Sequence, residues 1–269
     1  MNTCDNFDIA EEQLKGFTRS AVRAKIMLSL MNREMSASEL EKKMGIRVST
    51  ILHSMKEMVE EDIAKRSSGG YSLTNIGRIQ ALLLGELVNA IVALDLRKEF
   101  WLSHDISAIP HDLLSKIGMI SQSQVMEADP AALLKIAEHA IAEMVRAKDI
   151  CGLSPIIVPG FSEAIITAVK NGAKVNLILT QNIIKEVKNH YHADIIQLLN
   201  CDNFRLYQIN DEIKIAFTVI DSMLSLGLYR MDGGYDLGND LICIGPMARS
   251  WGLELFEYYR KSSISINSL

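Results

Sequence analysis

The stretch MGIRVSTILHSMKEMVEEDIAKRSSGGY, residues 44–71, decides the fold of the N-terminal part of this chain. Its apolar residues recur at steps of three and four: Val48, Ile51, Leu52, Met55, Met58 and Val59. This period predicts an amphipathic helix with one buried face. The opposite face is predicted to carry Ser49, Thr50, His53, Ser54, Lys56 and Glu57. Most of these are short polar or cationic side chains, which reach base edges and phosphates in nucleic-acid complexes.

A shorter helix is predicted directly before this one, over SASELEKKMGI, residues 36–46. Ser36 or Ser38 would cap its N-terminus, and Gly45 would end it in the left-handed conformation. Two helices joined at a glycine, the second polar at its outer N-terminal end, are the pattern of a helix-turn-helix. Leu14–Met31 predicts a supporting helix for this pair.

The residues after the long stretch, IAKRSSGGYSLT, predict two short strands around a Ser-Ser-Gly-Gly turn. Lys65 and Arg66 lie at the bend, where a wing would place them beside a minor groove as phosphate contacts. Arg47 and Lys56 are expected to hold phosphates as well. Base edges would be read by four residues of the second helix: Ser49, Thr50, His53 and Ser54.

Charge is distributed unevenly along a chain whose net charge is −5. Residues 14–85 hold 12 Lys and Arg against 7 Asp and Glu, whereas residues 86–269 hold 16 against 22. A basic N-terminal part on an acidic body favours binding of a polyanion. A chance distribution over ordinary solvated surfaces is the alternative.

Several classes of protein are disfavoured by what the sequence lacks. Four cysteines lie far apart without a C-x-x-C pair, which disfavours a zinc ribbon or a disulfide framework, and no metal site or cofactor is expected. Nucleotide-binding and acyl-transfer motifs are missing. The acidic N-terminus does not read as an export signal, and residues 76–94 contain too many polar residues for a membrane span, so a cytoplasmic protein without membrane contact is expected.

A long helix is predicted from Thr74, its N-cap, to about Trp101. Its apolar residues cover more than one face, so a second surface must cover part of it. The simplest candidate is the same helix of another subunit, which predicts a homodimer. Packing against its own chain alone is the alternative.

The rest of the chain predicts an α/β body. Pro130 suits the first turn of a helix over Ala131–Lys148. Strands are then predicted at DICGLS, KVNLILT, FRLYQI, IKIAFTVID, MLSLGLYR and LICIG, with helices at residues 160–171, 180–199 and from Pro246 to Tyr259. A helical crossover between consecutive strands implies a parallel pair, with antiparallel additions near the end. The predicted fold class is α+β/α/β: an N-terminal winged helix-turn-helix, a long connecting helix and a C-terminal α/β sensor domain.

Eight motifs in order resemble a known family: VSTILHSMKEM, GGYSLTNIGRIQAL, FWLSHDISAIPHDLLSKIG, GLSPIIVPGFSEAI, NGAKVNLILT, KIAFTVIDSMLSLGLY, DGGYD and WGLELFEYYR. The chain resembles archaeal winged-helix transcriptional regulators whose C-terminal part is the methanogenesis regulatory protein domain. The resemblance runs from about residue 20 to residue 260. It implies a DNA-binding repressor or activator with a ligand-sensing body, and some such bodies look like half of the phospholipase D fold.

The phospholipase D likeness raises an enzymatic alternative, because those catalysts use H-x-K-x-x-x-x-D with His as nucleophile. Here Glu212 stands in the place of that His, and Asp221 lies seven residues after Lys214 instead of five. Phosphodiester hydrolysis is therefore not expected. Lys214 and Asp221 are predicted instead to form an ion pair or to line a ligand pocket, although Asp221 could simply cap the next turn.

An effector pocket is predicted at the carboxyl ends of the parallel strands, where helix N-termini present free N–H groups. Ser154 and Thr180 follow the first two strands, and Trp101 and His104 in FWLSHD are a candidate pocket wall. An anionic or polar small molecule would suit this edge, helped by Lys214. Ordinary turn and cap residues are the alternative.

These observations predict a homodimeric, sequence-specific DNA-binding regulator with three parts. Residues 14–74 form the winged-helix domain, residues 75–130 connect and dimerise, and residues 131–262 bind an effector. Two N-terminal domains would meet half-sites about 34 Å apart on double-stranded DNA. The alternatives are a winged-helix protein adaptor and a phospholipase D-like enzyme.

Overall fold

A computed structural model describes residues 3–18, 20–127, 135–209 and 212–268. The chain divides into two compact units, Met1–Val88 and Asn89–Leu269. Each unit has its own apolar core. The boundary between them falls within one long helix.

The N-terminal unit begins with four helices, α1 Thr3–Thr18, α2 Ala21–Leu30, α3 Ala37–Met44 and α4 Val48–Glu60. A hairpin of β1 Ala64–Ser67 and β2 Gly70–Leu73 follows. The single helix predicted over residues 14–31 is wrong, because the chain leaves the helical conformation at Ser20. That residue is extended, and its hydroxyl accepts a hydrogen bond from the Arg23 N–H at 3.3 Å, so it starts a new helix.

The predicted ends of α3 are confirmed. Ser36 and Glu39 form a capping box, in which the Ser36 hydroxyl accepts from the Glu39 N–H at 3.2 Å and the Glu39 carboxylate accepts from the Ser36 N–H at 2.8 Å. Gly45 ends the helix in the left-handed region with φ 66°. The turn therefore forms where the sequence predicts it.

The core of the N-terminal unit is formed by apolar side chains from α2, α3, α4 and the hairpin. Its largest fully buried members are Ile26, Met27, Leu40, Ile51, Met55 and Met58. The predicted buried face of the amphipathic helix is thus confirmed at Ile51, Met55 and Met58.

The long helix α5 spans Asn75–Asp95 and is shorter than predicted. Thr74 caps it as expected, since its hydroxyl accepts from the Gly77 N–H at 3.1 Å. The chain leaves the helix after Asp95, and α6 Lys98–Ser103 is a separate helix. Eight apolar side chains of α5 are exposed: Ile76, Ile79, Leu82, Leu83, Leu87, Val88, Ile91 and Leu94. Length and composition alone would also allow this helix to cross a membrane.

The C-terminal unit continues with α7 His111–Leu114, a 3₁₀ turn at Ile117–Ile120, β3 Ser123–Glu127, α8 Lys135–Met144, β4 Asp149–Ser154, α9 Phe161–Lys170 and β5 Lys174–Thr180. Then follow α10 Gln181–His190, α11 His192–Leu199, β6 Phe204–Ile209, β7 Ile215–Val219, β8 Met223–Leu228, β9 Asn239–Ile244, α12 Pro246–Lys261 and β10 Ile264–Ile266. In the described part of the chain the strands form a mixed sheet of order β10-β6-β5-β4-β7-β8-β9-β3.

The sheet confirms the predicted parallel pair and the antiparallel additions. β4 pairs with β5, and β5 with β6, in parallel, whereas β7, β8 and β9 pair with their neighbours antiparallel. Strands β3 and β10 were not predicted. They are antiparallel edge strands of only five and three residues, and they pair with β9 and β6.

The helix predicted over residues 180–199 is wrong in its continuity. Tyr191, with φ −129° and ψ 28°, breaks it into α10 and α11. The predicted start of a helix at Pro130 lies outside the described residues. Its later part is seen as α8.

The two faces of the sheet are covered by different helices. One face, here called the packed face, holds Ile178, Phe217, Leu224, Leu226 and Leu228 beneath Trp251 of α12. The other, here called the cavity face, packs against α9, α10 and α11 through Val175, Phe204 and Leu206. Because successive strand residues point to opposite faces, each strand contributes to both.

Candidate nucleic-acid interface and effector cavity

Helix α4 presents the polar face that its sequence predicts. Ser49, Thr50, His53 and Lys56 are all exposed on it, and Arg47 is exposed at its N-cap. His53 Nε2 lies 3.4 Å from a Glu57 carboxylate oxygen, and Lys56 Nζ lies 3.8 Å from one of Glu60. Such exposed pairs are weak and break readily when a stronger anion arrives.

Two residues of α4 lie on the face opposite to the predicted one. Ser54 is 6% exposed, so its predicted position on the outer face is wrong. It lies three residues after Ile51 and four before Met58, which puts it in the buried stripe of a helix. Leu52 was predicted to be buried but is 43% exposed, since it lies three residues after Ser49 and four before Lys56, both of which are exposed.

The hairpin carries the two predicted cations at its exposed end. Lys65 pairs with Ser72 across the strands, and Arg66 pairs with Tyr71. The Tyr71 N–H donates to the Met35 carbonyl at 2.9 Å, which ties the hairpin to the segment before α3. Neither Lys65 nor Arg66 makes an ion pair with a described residue. Both charges are therefore free to meet a polyanion.

Other cations of this unit are neutralised within it. Arg23 makes two hydrogen bonds to the Glu61 carboxylate, at 2.8 and 2.5 Å, which lower the pKa of Glu61. Arg33 lies 2.8 Å from Glu39, whose pKa falls to about 2, chiefly because of its bond from the Ser36 N–H. Exposed cations without an ion pair to a described residue remain at the hairpin, through Lys65 and Arg66, and at the end of α3, through Lys42 and Lys43.

The C-terminal unit contains a partly open cavity of about 130 Å³ on the cavity face, at the carboxyl ends of β4 and β5. Its walls are mainly aliphatic and aromatic: Leu177, Leu179, Ile183, Val187, Ile195 and Phe161 are examples. An apolar cavity of about 150 Å³ is large enough for benzene. The site can hold a ring or a short branched alkyl group.

Of the predicted effector residues, Ser154 lines this cavity. Its hydroxyl donates to the Ile156 carbonyl at 2.7 Å and accepts from the Ile156 N–H at 3.3 Å, so it also shapes the turn after β4. Thr180 begins α10 beside the cavity, but it is not among the lining residues and its side chain makes no cap hydrogen bond.

Trp101 and His104 lie elsewhere, between the segment after α5 and the packed face. The Trp101 indole N–H donates to the Ala93 carbonyl at 2.9 Å. His104 is buried, and its Nε2 lies 3.2 Å from Asp236 Oδ2, while its Nδ1 lies 2.7 Å from the Phe100 carbonyl oxygen. The structure therefore does not bring these two side chains to the apolar cavity.

The predicted ion pair of Lys214 and Asp221 is wrong. Lys214 Nζ lies 2.9 Å from Asp105 Oδ2, and hydrogen bonds from Ser107 and Lys214 lower the pKa of Asp105 to about 2. Asp221 instead accepts from the Lys148 N–H at 2.6 Å, which fixes the start of β4. Neither residue lines the apolar cavity.

The sequence reasoning missed most of the cavity. Leu177 and Tyr191 are separated by a helix, and their convergence depends on the break between α10 and α11. One available signal was the run of apolar residues at alternate positions of β5, Leu177 and Leu179, which both line the cavity. Among the described residues, no three His, Cys, Asp or Glu side chains converge to hold a metal ion.

These features define a class of protein with two parts. A small unit displays an exposed polar helix and a cationic hairpin, and a mixed α/β unit contains an apolar cavity. Family comparison agrees with this division, because residues 11–92 match the N-terminal domain, and residues 133–262 the middle domain, of the methanogenesis regulatory protein FilR1. The chain belongs to this family of regulatory proteins.

A curated relative supports the same assignment. The methanogenesis regulatory protein FilR1 of Methanothrix harundinacea (strain 6Ac) is 35% identical over 256 residues, which cover 94% of this chain. The match covers 57% of the relative, so this chain spans little more than half of its length.

Similar solved structures include three with low sequence identity. TrmBL2, an archaeal chromatin protein with a novel mode of DNA binding, is 13% identical with a TM-score of 0.44, covering 94% of this chain and 97% of its own. The phospholipase D family member Nuc from Salmonella typhimurium is 14% identical with a TM-score of 0.39, covering 54% and 98%. Phosphatidylserine synthase of Haemophilus influenzae Rd KW20 is 11% identical with a TM-score of 0.42, covering 73% and 60%.

Proposed function

We propose that this protein is a cytoplasmic, DNA-binding transcriptional regulator that senses a small molecule. The observation that carries the proposal is the exposed face of α4, which follows a glycine turn and is flanked by a cationic hairpin. In this assignment residues 14–74 are a winged helix-turn-helix, with α4 as the recognition helix and β1–β2 as the wing. The family match to a regulatory protein supports the same function.

The roles of the exposed residues follow from their chemistry. Ser49, Thr50 and His53 would enter the major groove and contact base edges. The cationic side chains Arg47, Lys56, Lys65 and Arg66 would hold phosphates. Ser54 has no part in this interface because it is buried.

The wing assignment is tested by binding of genomic fragments to the full chain at several salt concentrations. Arg66→Ala should weaken binding to all fragments alike and lower the slope of log affinity against log salt by about one, because one phosphate contact is lost. Thr50→Ala should leave the salt slope unchanged and relax base preference. Lys170→Ala removes an exposed cation of α9 and serves as the control.

Full affinity and an unchanged slope for Arg66→Ala would refute the wing. Absence of any salt-dependent DNA binding would favour the adaptor alternative, in which the same unit docks on protein.

We propose that α5 pairs with its counterpart in a second copy of the chain. Ile79, Leu83, Leu87 and Ile91 follow one another at steps of four along one exposed stripe, which suits helix-to-helix packing. Eight exposed apolar side chains on one helix form a surface larger than a soluble monomer ordinarily leaves to water. A dimer would also present two recognition helices to two half-sites.

Light scattering of the full chain tests this pairing. The unaltered protein should have the mass of a dimer, and Leu83→Glu with Leu87→Glu should have the mass of a monomer, because two charges would face the apolar stripe. Lys170→Glu adds a similar charge far along the chain and should remain dimeric. A monomeric unaltered protein would refute the proposal.

The body, residues 131–262, is proposed to bind the effector, with residues 75–130 as the connecting and dimerising part. The support is an apolar cavity with few polar groups, which is the usual form of a small-molecule site. Catalysis is not proposed, since Glu212 stands in the place of the nucleophilic His. Incubation with a generic phosphodiester should release no product.

A further inference from the structure

A second cavity, of about 80 Å³, adjoins the apolar one on the same face of the sheet. The two cavities share seven lining residues: Leu153, Ser154, Ile156, Val158, Phe161, Phe217 and Thr218. Residues common to both walls make the cavities neighbouring chambers. They are called here the apolar chamber and the polar chamber.

The polar chamber exists because small residues line its floor. Ala216 of β7 pairs with Gly227 of β8, and Thr218 pairs with Ser225, so three small side chains and a glycine lie side by side. Leu226, which lies between Ser225 and Gly227 on β8, points to the packed face and is fully buried there. Because the floor residues are small, the cavity face has empty space above β7 and β8 that larger side chains would fill.

The wall of the polar chamber carries two carboxyl groups. The Ser225 hydroxyl donates to Asp240 Oδ2, and Asp240 Oδ1 accepts no hydrogen bond from a described residue. Burial, followed by the nearby charge of Asp236, raises the pKa of Asp240 to about 6. Asp236 accepts from the Asn239 amide at 2.9 Å and contacts His104. Asp240 is thus the carboxyl group with a free acceptor facing the chamber.

The charge of the two chambers has one sign. Asp194, Asp236 and Asp240 are among the lining residues, and the lining as described includes no Lys or Arg. Lys214, which the sequence suggested as a helper for an anion, pairs with Asp105 away from both chambers. An anionic ligand would meet only like charge here, so of the two predicted kinds of ligand, anionic or polar, the anionic one lacks support.

We infer that the two neighbouring chambers together bind a small amphipathic amine, with its apolar group in the apolar chamber and its ammonium group on Asp240. An ammonium donates to the free carboxylate oxygen and neutralises a charge that is costly to bury alone. A ring or short alkyl group fits the apolar volume. This inference rests on the proposed effector-sensing function of the body.

Calorimetry of the full chain with three matched probes tests the inference: 2-phenylethylamine, 2-phenylethanol and 3-phenylpropionate. The amine should bind about tenfold more tightly than the alcohol, because it makes a charge-assisted hydrogen bond, and the acid should not bind. Asp240→Asn should remove the preference for the amine over the alcohol. Equal or tighter binding of the acid would overturn the inference, as would unchanged amine binding by Asp240→Asn.

A second variant, Gly227→Ala, tests the same assignment independently in case Asp240→Asn does not fold. An added methyl group in Gly227→Ala would lie 2.0 Å from the Tyr235 hydroxyl and 2.7 Å from Asp240 Oδ1, so it obstructs the polar chamber without touching the apolar one. It should weaken the amine and leave binding of toluene, which has no head group, unchanged. Weakened toluene binding with unchanged amine binding would contradict the assignment of the chambers.

DNA binding without any probe separates this inference from the proposed function. Asp240→Asn should bind DNA with unaltered affinity and salt slope, since Asp240 lies in the body. Lost amine preference with DNA binding intact supports the inference. If DNA binds and no amine does, the chamber assignment alone fails, and if the amine binds and DNA does not, the regulator assignment alone fails.

Discussion

The packed face and the cavity face of the same sheet are built in opposite ways, and strand β8 shows the difference most clearly. Leu224, Leu226 and Leu228 point to the packed face, where each is fully buried. Ser225 and Gly227, which alternate with them, point to the cavity face and line the polar chamber. Strand β8 therefore contributes large side chains to the packed face and small residues to the cavity face.

The difference implies that the packed face contributes mainly to stability and the cavity face mainly to binding. The packed face is filled by α12, whose Trp251 is fully buried and donates its indole N–H to the Leu113 carbonyl at 2.9 Å. Substitutions on a close-packed face are destabilising, because any atom that is removed leaves a cavity. The cavity face already contains holes, so substitutions there should cost less stability and alter binding more.

The largest expected effect compares two neighbours on β5. Ile178 is fully buried on the packed face, and Leu177 is half-buried on the cavity face. Ile178→Ala should lower the free energy of unfolding by about 2–5 kcal/mol, and Leu177→Ala by only about 1–2 kcal/mol, because Leu177 borders an existing cavity. Denaturant unfolding measures both. Equal costs would contradict the distinction between the faces.

The pH dependence of stability should reveal the half-buried carboxyl group of Asp240 in the polar chamber. Because the pKa of Asp240 is raised from 3.8 to about 6, the folded state binds its proton more tightly than the unfolded state does. Its contribution is therefore full below pH 3.8 and is lost as pH rises to about 6, a change of about 3 kcal/mol. Asp240→Asn has no carboxyl group at this position, so its free energy of unfolding should not fall in this way. Relative to the unaltered protein, the variant should therefore become more stable as pH rises from acid to neutral. A pH-independent difference between the two unfolding curves would argue against the raised pKa of Asp240.

Filling the polar chamber should lower the free energy of unfolding by a smaller amount than Ile178→Ala does. Gly227→Ala brings a methyl group within 2.0 Å of the Tyr235 hydroxyl, and overpacking of this kind costs about 1–3 kcal/mol. Gly152→Ala is the matched control on the same face, where the added atom would lie 3.3 Å from the Phe217 carbonyl oxygen. Thermal unfolding should show a larger loss for Gly227→Ala. The reverse order would mean that the chamber can expand.

The smallest effect concerns the hydroxyl that supports Asp240. The hydrogen bond from Ser225 lowers the pKa of Asp240, against the larger effect of burial. Ser225→Ala should therefore raise that pKa further and lower stability at neutral pH by about 1 kcal/mol. The decline of stability with pH should extend to higher pH in this variant, which unfolding at a series of pH values would detect. No shift would mean that Ser225 does not hold the carboxylate.

Local signals predicted much of the fold. The capping box at Ser36, the left-handed Gly45 and the hairpin turn depend on residues within a few positions of one another, so their sequence is sufficient. Strands β4 and β5 also lie where apolar runs predict them. The edge strands β3 and β10 escaped prediction because pairing with a distant strand, not their own composition, makes them strands.

The two faces of α4 were predicted with two errors, at Leu52, which is exposed, and at Ser54, which is buried. The polarity of Ser54 suggested the outer face, but the angle between successive helical residues turns it inward beside Met55 and Met58. Position on the helix overrides the polarity of a small side chain. The outer positions of Thr50 and His53 agree with the sequence, because both lie opposite the buried stripe.

The sequence by itself determined the helix-turn-helix pattern, the cationic hairpin and the alternation of β8, since each is encoded by neighbours along the chain. Only the tertiary structure decided that Leu177 lines one chamber and Asp240 and Ser225 the neighbouring one, and that Lys214 pairs with Asp105 instead of Asp221. These contacts join residues far apart in the chain, and their formation depends on strand order and on how helices cover each face. Periodicity shows which way a side chain points, but packing decides what it meets.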